Sequence, residues 1–254
     1  MRMPQIPGLL AFIRAACVVF ACLAIPASGQ DRVVTMRAVI QSKGATKPEK
    51  TSKAKPEASD VVVWLQPLDR TGTGSTPEAP SRKRAQLIQH NKSFQPHLLV
   101  IPVGSVVDFP NRDPFFHNVF SLFDGKRFDL GLYEAGTSHS VRFDRAGVSF
   151  LFCNIHPEMS AVVVAVETTY FGVSDRTGTI SIPNVPDGRY ELHVWYERSL
   201  PEDLKNLTHP ITISSPITDL STIGVPENPI FSPTHKNKYG QDYPPPPTPR
   251  YSHP

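Results

Sequence analysis

Cysteine is scarce in this chain. Its 254 residues hold three, Cys17, Cys22 and Cys153. The first two fall inside residues 1–29, where Arg2 and Arg14 precede an apolar run from Ala15 to Ile25 and Ala27-Ser28-Gly29 offers small residues for cleavage. That is the layout of a secretory signal peptide, and the run is too short to span a bilayer as a helix. Export to the periplasm or cell surface is therefore expected, with no membrane span once the leader is removed. Beyond residue 29 only Cys153 remains, so an internal disulfide is excluded and the residue is either a free thiol or a metal thiolate. Methionine is also rare. Of four, only Met36 and Met159 lie past the leader. Excess charge is lacking as well: the formal value of +3 falls to about +1 when Arg2 and Arg14 are lost with no acid. Nothing in that balance asks for nucleic acid or an anionic membrane as partner. Finally, no window of eleven residues shows a helical period.

What is present is a succession of short strands. Val34, Met36, Ala38 and Ile40 alternate with Thr35, Arg37 and Val39, the pattern of a half-buried strand. Val61-Val62-Val63-Trp64-Leu65 is apolar enough to be covered on both faces. Polar, Pro- and Gly-bearing stretches at 42–59 and 68–83 separate these strands from the next rhythm. From Arg84 to Glu167, strand signals recur near 85–90, 97–102, 105–109, 116–121, 127–133, 139–143, 148–153 and 161–167. Eight short strands with turns every eight to twelve residues predict an antiparallel sandwich or barrel. After Glu167 come Tyr170–Val173, Thr179–Ile182, Tyr190–Trp195, Ile211–Ile213 and a run near 217–225. Beyond Pro226 the chain is rich in Pro, Asn and Lys, and an extended or disordered tail is expected over 228–254.

One stretch carries chemistry: Cys153-Asn154-Ile155-His156-Pro157-Glu158-Met159. At this composition, a Cys with His at +3 and Met at +6 arises by accident roughly once in two thousand trials. A strand that ends in Cys and turns into a short loop aims all three side chains at one point. Soft sulfur with imidazole suits copper, and a His2Cys set with a weak axial Met is the blue-copper arrangement. The second imidazole must come from elsewhere, and His117 in Phe115-Phe116-His117-Asn118-Val119-Phe120 is the leading candidate. The bland reading of His117 is a packed core histidine. The remaining histidines, His90, His97, His139, His193, His209, His235 and His253, are read as surface, rim or tail residues. No His-x-His or His-Cys-His pair exists, so a trinuclear copper cluster has no ligands.

The stretch 84–167 resembles the blue-copper (cupredoxin) family. The likeness runs from Phe94-Gln95-Pro96 through Val103-Gly104, Val107-Asp108-Phe109, Asn111-Arg112-Asp113 and His117-Asn118-Val119 to Gly147–Cys153. The Cys-x2-His-x2-Met loop is similar to the short ligand loop of amicyanin, and the whole layout to exported proteins termed methylamine-utilisation-like. The pattern Asp175-x-x-Gly178 and Ile182-Pro183-Asn184-Val185-Pro186-x-Gly188-x-Tyr190 is similar to carboxypeptidase-regulatory-like, or prealbumin-like, modules. The resemblance implies an all-β protein: a cupredoxin Greek-key β-sandwich at 84–167, and a smaller prealbumin-like sandwich split between 30–83 and 168–227.

It also implies one copper ion, cycling between Cu(I) and Cu(II), held by His117, Cys153, His156 and Met159. Asn118 ties its strand to the ligand loop. Ile155 stands where several relatives carry Pro, and keeps a backbone N–H that can donate to the thiolate and raise the potential. Glu158 stands where relatives often carry an apolar residue, which points to a polar or cationic partner face. The function so implied is electron transfer with a redox partner such as a cytochrome or dehydrogenase, and no enzymatic activity. The alternative is a copper-binding or copper-handling module of a cell-surface or periplasmic assembly. A hydrolase using Cys153 as nucleophile ranks behind both, because Met159 is then unexplained and no orienting acid is evident beside the histidines.

Overall fold

The computed structural model describes residues 32–42, 58–69, 84–122, 125–215, 218–228, 230–231 and 235–243. The expected signal peptide, with Cys17 and Cys22, lies outside the described residues, as do most of the two polar stretches before Arg84.

The all-β expectation holds. In chain order the strands are β1 (Val33–Ser42), β2 (Val62–Pro67), β3 (Ala85–Gln86), β4 (Ile88–His90), β5 (Ser93–Gln95), β6 (Leu98–Pro102), β7 (Val106–Pro110), β8 (His117–Ser121) and β9 (Phe128–Tyr133). They continue as β10 (Ser138–Arg142), β11 (Gly147–Phe152), β12 (Ser160–Val166), β13 (Phe171–Val173), β14 (Thr179–Pro183), β15 (Gly188–Trp195), β16 (His209–Ile213) and β17 (Asp219–Glu227). Among the described residues a single helix, α1 (Pro201–Leu207), sits between β15 and β16. At seven residues it is too short to show a period. Its signals are local: Pro201 at the first turn, Glu202 and Asp203 beside it, and Leu204 turned inward.

Strand alternation turns these elements into four layers. A five-stranded sheet, β6-β12-β11-β8-β9, faces a three-stranded one, β10-β7-β3. Leu87, Phe109, Val119, Phe143, Leu151, Ala161, Val163 and Ala165 fill the space between them. A four-stranded sheet, β13-β2-β15-β16, faces a second three-stranded one, β14-β1-β17. Their core holds Val34, Met36, Ala38, Val63, Leu65, Ile180, Leu192 and Val225. Among the described residues, the strands β1 and β2, which precede residue 84, pair only with β13, β14, β15 and β17, which follow residue 167.

The two sandwiches share a third apolar seam, and period two explains it. On β12, Ala161, Val163 and Ala165 point into the first core while Val162, Val164 and Val166 point the other way. On β2, Val63 and Leu65 enter the second core while Val62 and Trp64 face those valines. Strands buried on both faces read as continuous apolar runs rather than as an apolar-polar alternation. Ala161–Val166 and Val61–Leu65 are such runs. Each valine so buried contributes about 1.5–3 kcal/mol relative to exposure. The seam is therefore a firm junction.

A polar latch closes one end of the seam. His97 Nδ1 lies 3.1 Å from the Ser160 carbonyl, and Nε2 lies 2.7 Å from Glu197 Oε2 on the segment after β15. The Glu197 hydrogen bond raises the His97 pKa above 6.5 against the opposing effect of burial, with Asp60 adding to the rise. A histidine whose pKa is raised on folding stabilises fully below its unfolded value and loses that contribution as pH rises through the folded one. Exposure of the pair to solvent keeps the effect small. Denaturant midpoints measured from about pH 5 to about pH 9 should fall across the range above 6.5. Glu197→Gln should flatten that fall; an unchanged pH profile would refute the latch.

Candidate metal centre

The pairing of β8 with β11 fixes where the site forms. Phe120 is opposite Phe152 in antiparallel register, so the start of β8 lies beside the residues just past the end of β11. Side chains alternate along β11, and Ser149, Leu151 and Cys153 share the inward face. The chain then turns. The Met159 N–H donates to the His156 carbonyl at 3.1 Å, and the Cys153 N–H to the Met159 carbonyl at 3.3 Å. Those two bonds close residues 153–159 into a loop.

His117, Cys153 and His156 each offer one donor atom, all within 4.8 Å of one another. His117 Nδ1 is 3.1 Å from His156 Nδ1, and Cys153 Sγ is 3.9 Å and 3.5 Å from these two nitrogens. Cys153, His117 and Met159 are fully buried, and Met159 belongs to the same apolar cluster as Cys153. His156 is half-buried, next to exposed Ile155 and Pro157. Phe115 flanks both imidazoles, with ring centroids 5.1 Å and 5.6 Å away. Two imidazole nitrogens and a thiol facing one point, with a buried thioether in the same loop, are a donor set that suits a soft, thiophilic cation.

Protonation is arranged for such an ion. His117 Nε2 lies 2.8 Å from Asp113 Oδ2, which assigns the ring proton to Nε2 and leaves Nδ1 with a lone pair toward Cys153. Asp113 is itself held by the N–H groups of Asn91 and Lys92, at 2.7 Å and 2.9 Å. Burial pushes its carboxyl upward, but these N–H groups and His117 outweigh that and hold it below the ordinary carboxylate range. Burial lowers the His156 pKa, favouring the neutral ligand form. Burial raises that of Cys153, opposed by backbone N–H groups of Asn118, Ile155 and His156 that donate toward the sulfur. Ionised at this depth, the sulfur would call for a cation beside it.

Asn118 joins the pieces. Its Oδ1 accepts from the Asn154 N–H at 3.3 Å, and its Nδ2 donates to Asp129 Oδ1 and the Gly131 carbonyl at 2.7 Å and 2.9 Å.

Several functional residues escape a reading of the sequence. Asp113 is visible there only as part of a resemblance, although an acid four residues before a candidate ligand histidine is a usable signal. Its position corrects the reason given against a hydrolase: Cys153, His117 and Asp113 do form a thiol, imidazole and carboxylate series. That series nonetheless suits a nucleophile poorly, because the thiol is fully buried and its pKa is raised. The strand expected over 85–90 breaks at Leu87 into β3 and β4, and β4 turns back as β5 through Asn91 and Lys92, at φ 52° and 50°. That turn supplies the N–H groups that hold Asp113. His235, expected to be a tail residue, stacks on Phe152 with centroids 4.0 Å apart.

No family model matches the chain, and no curated protein does. Among solved structures, a reduced tryptophan-to-tyrosine mutant of amicyanin is similar at 22% identity, over 33% of this chain and 82% of that one, with a TM-score of 0.31. A purple cupredoxin from Nitrosopumilus maritimus is similar at 28%, over 32% and 99%, with a TM-score of 0.30. A copper-containing nitrite reductase from Thermus scotoductus is similar at 24%, over 41% and 26%, with a TM-score of 0.33.

Asp113→Asn removes the charge that orients His117. Competition with a chelator should show about a 10–100-fold loss of copper affinity. Unchanged affinity would show that Asp113 does not act on the ligand.

Proposed function

We propose that this protein is an exported type 1 copper protein of the cupredoxin family that carries single electrons. The convergence of His117 Nδ1, Cys153 Sγ and His156 Nδ1 at one buried point carries this reading. His117, Cys153 and His156 would hold the ion, with Met159 as the weak fourth ligand that helps set the potential. Bound copper would supply a one-electron couple between Cu(I) and Cu(II). The chain's own part is to fix the donors before the ion arrives, so that little rearrangement accompanies a change of charge. The Ile155 N–H, donating toward Cys153, favours the more electron-rich, reduced centre. His156 is the ligand nearest solvent, and exposed Ile155, Pro157 and Glu158 form the edge that a partner would meet. A cytochrome or a dehydrogenase fits that role, with Glu158 favouring a polar or cationic face. Residues 1–29 support export.

One observation favours a second reading, in which the chain is a copper-binding or copper-handling module of a cell-surface or periplasmic assembly. The second sandwich, joined to the first through the Val62, Val162, Val164 and Val166 seam, is more structure than a small electron carrier needs.

Titration of the purified chain with copper tests both. One equivalent should give an intense blue colour and a narrow copper hyperfine splitting, and Cys153→Ser should abolish the colour. A reversible midpoint potential with fast electron exchange supports the carrier. A colourless protein with tightly held Cu(I) supports handling. Failure to bind copper overturns both.

A further inference from the structure

We infer that residues 235–243 belong to the metal centre, as a strap that holds the Cys153–Met159 loop closed, with Tyr243 as its positioning residue. The metal-binding consequence rests on the copper reading above; the strap itself does not.

The strap reaches the loop from the far end of the sequence. The Tyr243 hydroxyl donates to the Cys153 carbonyl at 2.8 Å, across 90 residues. The Lys238 N–H donates to Asn154 Oδ1 at 2.9 Å. Lys238 Nζ pairs with Asp129 Oδ2 at 2.8 Å, and Asp129 Oδ1 accepts from Asn118 Nδ2, whose partner oxygen accepts from the Asn154 N–H. Strap, β9, β8 and ligand loop therefore form one closed ring of polar contacts. Lys238, Gly131 and Asn118 hold the Asp129 carboxyl below its ordinary range against burial, as the ring requires.

Apolar contact seats the same segment. His235 lies flat on Phe152, and Tyr243 meets the His235 ring edge-on at 5.3 Å. The segment also holds its own shape: Asn237 Oδ1 accepts from the Tyr239 and Gln241 N–H groups, and the Asn237 N–H donates to the Gln241 carbonyl. Of the tail expected from residue 228 to be extended or disordered, 235–243 is thus held in place by named bonds.

The consequence concerns access. Cys153 is fully buried, so a reagent or a departing ion reaches its sulfur only when the loop lifts. Lifting it breaks the Tyr243 and Lys238 bonds. Opening costs what those bonds contribute, and a lost hydrogen bond raises the open fraction about 2–10-fold.

The test uses the chain without its expected leader, from residue 30 on and without metal, where Cys153 is the one cysteine. Reaction of the thiol with an aromatic disulfide reagent should accelerate about 2–10-fold in Tyr243→Phe, and further when Lys238→Ala is added, which keeps the N–H bond to Asn154 but frees the strap from Asp129. Tyr239→Phe, on an exposed side chain of the same segment, should change nothing. Global stability should weaken by no more than the same factor in Tyr243→Phe, because the strap bond is lost in the open and the unfolded state alike, and not at all in Tyr239→Phe. In the copper-loaded chain, release to a chelator should accelerate by the same factor. Unchanged labelling in Tyr243→Phe and in Tyr243→Ala overturns the strap. Accelerated labelling in a chain that binds no copper upholds the strap and removes the copper reading.

Discussion

A buried sulfur facing two imidazole nitrogens is the constraint on which this structure depends. Cys153 sits with no exposure, next to two imidazole nitrogens 3.5 Å and 3.9 Å from its sulfur. Asp113 holds the His117 ring, and the closed 153–159 loop holds the His156 backbone. Taking such a set of donors out of water is costly unless each is hydrogen-bonded or joined by a cation. The surrounding protein is the apparatus that keeps them together.

That apparatus is layered. The β8–β11 pairing brings the two halves of the donor set side by side. Asn118 bonds across the gap between them, and the turn of β4-β5 restrains Asp113 from behind. Further out, strands with apolar residues on both faces join the first sandwich to the second. The chain then returns over the loop through Lys238 and Tyr243. Rigidity at the site thus draws on residues as distant in sequence as Asn118, 36 positions from Asn154, and Tyr243, 90 positions from Cys153. A short ligand loop on its own does not provide that.

Much of this is legible in the sequence, for identifiable reasons. Alternation in Val34–Ile40 and continuous apolar runs in Val61–Leu65 and Ala161–Val166 report the pleat and the number of covered faces directly. The spacing of Cys153, His156 and Met159 is local, so a single turn suffices to bring them together. His117 is reachable because a histidine on an apolar strand needs an explanation. The rest is illegible where pairing is distant and polar. Asp113 is one acid among 23 acidic residues. Tyr243 lies among prolines that signal an extended tail, and only a hydrogen bond across 90 residues distinguishes it. Helix α1, at seven residues, is shorter than the window in which a helical period can be read.

The most direct test is X-ray absorption at the copper edge of the loaded protein. The account predicts a first shell of two imidazole nitrogens and one short sulfur, identical in site geometry before and after reduction apart from small changes in length. A shell of nitrogen and oxygen without sulfur would contradict it.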